Sequence, residues 1–87
     1  MEQFQGAVVK EQGITFGIVV VQRHVLNSPT DAAGAQQFGR RAFGPMPIVL
    51  MGQDSNGVPT YYGRPDIVRF LASIRMGRIP WKDYTLN

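Results

Sequence analysis

"ITFGIVVVQRHVL" occupies residues 14–26, and the division of its apolar side chains decides the fold. In an extended chain, successive side chains point to opposite sides. Ile14, Phe16, Ile18 and Val20 then share one side, and Thr15, Gly17, Val19 and Val21 share the other. Both sides are largely apolar. Such a strand belongs in the middle of a sheet, covered on at least part of each face.

The elements around it follow from local chemistry. "FQGAVVK" (residues 4–10) is a second β-rich run, joined to the first through "EQG", where Gly13 supplies the turn. Downstream, "NSPTDAAGAQQFGRRAFGP" (residues 27–45) reads as a helix. Ser28 is a good N-cap, Pro29 fits the first helical position, and Asp31 stands three residues past the cap. Ala35, Phe38 and Ala42 fall on one face, and Gly44-Pro45 ends the run. Gly34 and Gly39 each weaken this helix by up to about 1 kcal/mol relative to Ala, unless they permit close packing on the sheet.

A similar unit follows. "MPIVLMG" (residues 46–52) is a strand, and "QDSNG" carries the Asn56-Gly57 hairpin signal. In "VPTYYG" (residues 58–63), Pro59 has no N–H for a ladder, which places the strand at an edge. A closing helix is expected from near Gly63, with Pro65 and Asp66 in its first turn and Gly77 as its stop. Ile67, Phe70, Leu71 and Ile74 form its apolar stripe. The order β-β-α-β-β-α predicts one α+β domain over residues 1–87, a four-stranded sheet with both helices packed on one face. Residues 78–87 are expected to form a tail that packs back on the core.

The bulk composition narrows the chemistry. Eighty-seven residues suffice for one domain, and 44% hydrophobic residues suit a folded chain. With no cysteine, disulfides and thiolate chemistry are excluded. The longest aliphatic run, Ile18 to Val21, is far too short to span a bilayer. The N-terminus "MEQFQGAVV" lacks a basic and apolar leader, so a soluble, cytoplasmic protein is expected. The net charge is +3, with residues 1–39 carrying −1 and residues 40–87 carrying +4. That balance permits an anionic partner without requiring one.

Catalytic constellations do not emerge. His24 is the lone histidine, and no nucleophile or second ligand accompanies it at a useful spacing. Capping accounts for Ser28, Thr30 and Asp31. Phosphate loops, dinucleotide fingerprints, serine elbows and zinc motifs do not occur. "DSNG" lacks the ligand ladder of a calcium loop. No cofactor and no metal is therefore expected.

Binding signals remain. In "YYGRPD", Tyr61 and Tyr62 should face opposite ways. The outward ring, Arg64 and the N-terminus of the second helix together form a candidate site for a phosphate, carboxylate or stacked base. The competing reading is that Gly63 makes the turn, Pro65 starts the helix, Asp66 satisfies its free N–H groups, and Arg64 is solvated. Arg40, Arg41, Arg69, Arg75 and Arg78 would give an arginine-rich side if the helices lie together. Arg69 lies away from the apolar stripe, and the positions of Arg40, Arg41, Arg75 and Arg78 near helix C-termini also explain them structurally. Trp81 either folds back over the core or anchors an interface.

"FGIVVVQRHVL" (16–26), "PIVLMGQDSNGVPTYYGRPDIVRFL" (47–71) and "IPWKDYTLN" (79–87) together resemble a family of short uncharacterised bacterial proteins. That resemblance implies no activity. Residues 46–71 are also similar to the last part of thioredoxin-like domains, in fold alone, because the redox cysteines are missing. The expected role is a non-enzymatic domain that binds protein or assembles with itself. Nucleic-acid binding through the arginines stands second, and a small-ligand or enzymatic site near His24 or the Tyr61–Asp66 turn third.

Overall fold

The computed structural model describes residues 2–11 and 13–86. β1 (Glu2–Glu11) and β2 (Ile14–Val20) form an antiparallel hairpin, with Gly13 at φ +78° in its turn. A 3-10 turn (Arg23–Asn27) and α1 (Pro29–Phe43) carry the chain across to β3 (Ile48–Gln53), which runs parallel to β2. β4 (Pro59–Tyr62) returns antiparallel to β3, and α2 (Pro65–Ala72) follows. A second 3-10 turn (Met76–Arg78) leads into β5 (Lys82–Leu86), which pairs antiparallel with β1. Among the described residues the sheet therefore has five strands, in the order β4-β3-β2-β1-β5.

Local chemistry sets most of these boundaries. The Ser28 hydroxyl accepts from the Asp31 N–H at 3.3 Å, and the Gly44 N–H donates to the Arg40 carbonyl at 2.8 Å. Between β3 and β4, the Asp54 carboxylate accepts from the N–H groups of Asn56 and Val58 at 2.8 and 2.9 Å. Gly57 sits at φ +80° in that turn, where glycine carries no steric penalty.

Three expectations need correction. First, the sheet has a fifth strand, because residues 82–86 pair along β1 from Gly6↔Lys82 to Glu2↔Leu86. Second, α2 stops at Ala72, well short of Gly77. The Ser73 hydroxyl donates to the Phe70 carbonyl at 2.6 Å, offering the backbone a local alternative to continued helix.

Third, the helices lie on opposite faces of the sheet. Ile67 and Leu71 of α2 pack with Ala7, Phe16, Ile18, Val49 and Met51. Ala32, Ala35 and Phe43 of α1 pack with Val19, Ile48 and Leu50. Ile18 and Val19, like Val49 and Leu50, are strand neighbours and point to opposite sides. All of Ile48 to Met51 is buried, so β3 needs cover on both faces. One helix per face supplies it.

α1 approaches the sheet closely at Gly39. A Cβ there would come within 2.7 Å of Ile48 Cγ2 and 3.1 Å of Val19 Cγ2. Gly17 of β2 similarly leaves room for the Phe43 ring, which would lie 2.6 Å from an added Cβ. Phe43 thereby reaches an aromatic cluster on the α1 side. Phe4 meets Phe38 edge-on at 5.0 Å and Phe43 at 5.6 Å. Tyr84 stacks on Phe4 at 5.4 Å and meets Phe43 edge-on at 4.9 Å. Each such pair contributes about 0.5–1.5 kcal/mol beyond area burial, and together they tie α1 to β1 and β5.

Candidate functional site

Tyr61 and Tyr62 do face opposite ways. Tyr61 stands opposite Met51 on the α2 side, packed against the core, and Tyr62 stands opposite Leu50 on the α1 side, exposed. Both line an open hollow at the β4 edge with Gln36, Gly63, Pro65 and Val68. The Tyr61 hydroxyl is buried and has no hydrogen-bond partner among the described residues. Burial pushes its phenol pKa up, so it stays neutral at ordinary pH.

Arg64 is already engaged. Its Nε and Nη2 donate to Asp66 Oδ1 and Oδ2, both at 2.8 Å. The hydrogen bond from Arg64 holds the Asp66 carboxyl below its usual range, and the same bond raises the guanidinium. Two parallel N–H···O bonds are the arrangement in which arginine grips a carboxylate best. The anion position at the start of α2 thus contains the chain's own carboxylate. The outward Tyr62 ring belongs to the other side of the sheet from α2.

The remaining arginines fall into two groups. Arg40 and Arg41 occupy the last turn of α1. Arg41 lies 4.0 Å from Glu2 Oε1 and 5.8 Å from the Phe38 ring centre. Arg69 is in the last turn of α2, with Arg75 and Arg78 in the segment that follows it. The sheet separates the two groups. Arg78 also borders an open groove with Val9, Glu11, Phe70, Ile74, Ile79 and Pro80.

Trp81 is half-buried against the α2-side core, and its Nε1–H donates to the Met76 carbonyl at 2.9 Å. Its polar handle is spent inside the domain. His24 is exposed in the 3-10 turn after β2. No group of three or more His, Asp or Glu side chains is placed to hold a metal ion among the described residues. No helix among them is long and apolar enough to cross a membrane.

The β1–β5 flank is the feature that sequence reasoning missed. Register sets Gln3, Gln5, Asp83 and Thr85 on the α2 side of the sheet, all exposed beyond the reach of α2. With Phe4 and Tyr84 they line an open trough. On the α1 side, Lys82, Tyr84 and Leu86 alternate with them. The outer edge of β5 carries no backbone hydrogen bond among the described residues. The signal was the alternation in "KDYTL", with Tyr84 and Leu86 on one side and Asp83 and Thr85 on the other.

Comparison of the chain with protein-family models, with curated proteins and with solved structures finds no match.

Proposed function

We propose that this domain acts as a protein-interaction module that docks a partner strand along β5. The observation that carries this reading is the contrast between the two sheet edges. β4 is short, four residues, and begins with Pro59, which cannot donate to a neighbour. β5 is longer, five residues without proline, and its outer backbone groups are unpaired among the described residues. Such an edge is a template for another strand, with main-chain hydrogen bonds giving affinity and alternate side chains giving selectivity. The uncovered polar floor beside it would give a partner further groups to engage.

Nucleic-acid binding through the arginines finds less support. Arg40 and Arg41 lie on one side of the sheet and Arg69, Arg75 and Arg78 on the other. A single strand or duplex would have to wrap around the domain to meet both groups.

A photo-crosslinking residue at Thr85, compared with one at Ser55 in the β3–β4 turn, tests the proposal in the native cell. Edge docking predicts adducts at Thr85 that mass spectrometry resolves into one protein, and none at Ser55. Equal labelling at both positions, or nuclease-sensitive adducts alone, would overturn it.

A further inference from the structure

Taking the β5 edge as the docking site, we infer that its partner is a second copy of this chain. The two β5 strands pair antiparallel about Tyr84, making one continuous sheet. The sequence of the strand selects this geometry. A parallel pair in register would set Lys82 beside Lys82 and Asp83 beside Asp83, which is unfavourable across strands. Antiparallel pairing about a two-fold axis avoids both contacts unless the axis falls on Lys82 or Asp83. Residues directly opposite must share a face, so the axis passes through a residue of β5. Centred on Asp83, the pair sets two like carboxylates together. Centred on Thr85, it leaves Lys82 and Asp83 without strand partners among the described residues. Centred on Tyr84, all five residues pair: Lys82 with Leu86, Asp83 with Thr85, and Tyr84 with Tyr84.

Each face of that register is complementary. On the α1 side the Phe4–Tyr84 stack runs across the strands toward the free edge. The second copy continues it as Phe4–Tyr84–Tyr84–Phe4. The Lys82 stem of one copy lies over Leu86 of the other, with its ammonium directed toward Glu2, the β1 neighbour of that Leu86. Glu2 is only loosely held by Arg41, at 4.0 Å. On the α2 side the Thr85 hydroxyl of each copy meets the Asp83 carboxylate of the other.

Charge changes at Thr85 read this register directly. Thr85 is exposed, so Thr85→Asp and Thr85→Lys should both keep the fold, which circular dichroism checks. In sedimentation equilibrium at low salt, the wild-type chain should dimerise reversibly. Thr85→Asp puts a carboxylate against Asp83 twice and should raise Kd roughly tenfold. Thr85→Lys pairs with the same carboxylates and should lower Kd by a similar factor. A wild-type chain monomeric up to about 1 mM, or two variants shifting Kd in the same direction, would overturn the inference. The failures are separable. A monomeric chain whose Thr85 crosslinks to a different protein refutes self-pairing and leaves edge docking standing. A monomeric chain without Thr85 adducts refutes both.

Discussion

The Tyr61 hydroxyl is the one buried side-chain polar atom without a partner among the described residues. A buried hydroxyl loses its water hydrogen bonds, and here no protein group replaces them. Removing it should therefore cost nothing. Tyr61→Phe is expected to leave stability unchanged or raise it by up to about 1 kcal/mol, read from urea unfolding midpoints. A loss of stability would mean the hydroxyl is satisfied in solution. Arg64 and Asp66 show the opposite condition, each satisfying the other at the surface. Exposed pairs of this kind add little to stability. Their consequence is functional: a guanidinium already forked onto a carboxylate is a poor receptor for another anion.

At the scale of elements, α1 contains two glycines with opposite effects. Gly34 is exposed, with nothing within 4 Å of an added Cβ, so Gly34→Ala should stabilise by about 0.4–1 kcal/mol. Gly39 lies against Ile48 and Val19, where the same change overpacks the helix–sheet interface. Gly39→Ala should destabilise by about 1 kcal/mol, the overpacking cost outweighing the gain in helix propensity. Thermal melts of the two variants should move in opposite directions. Elements whose boundaries are set by a few neighbouring residues were legible from the chain alone. The Ser28 cap, the Gly44 stop, the Asn56-Gly57 turn, the Pro59 edge and the central place of β2 are of this kind. β5 was not, because a five-residue strand after Pro80 has no local stabilisation of its own. Only the exposed flank of β1 makes it a strand. The end of α2 was obscured similarly: Gly77 offers a familiar stop, but the Ser73 hydroxyl acts earlier.

Across the whole molecule, the two-sided apolar pattern of β2 already contained the placement of the helices. A strand apolar on both faces requires cover on both, and two helices on one face would have left the other bare. Their separation divides the arginines, so a net charge of +3 does not become one basic surface. It also leaves β1 and β5 extending past α2, with a free strand edge beside an open polar floor. The candidate residues chosen from sequence were cations and aromatics with visible side-chain chemistry. A free backbone edge has no side-chain signature, and it becomes visible only once strand order is known.

Amide hydrogen exchange of Lys82–Leu86 tests the central claim most directly, in samples differing about a hundredfold in concentration. In an edge strand, some amides point to β1 and the others point outward. Pairing of two β5 strands predicts that the outward amides exchange roughly tenfold more slowly in the concentrated sample, by mass action, while those facing β1 are already protected in both. Outward amides that exchange equally fast at both concentrations would contradict it.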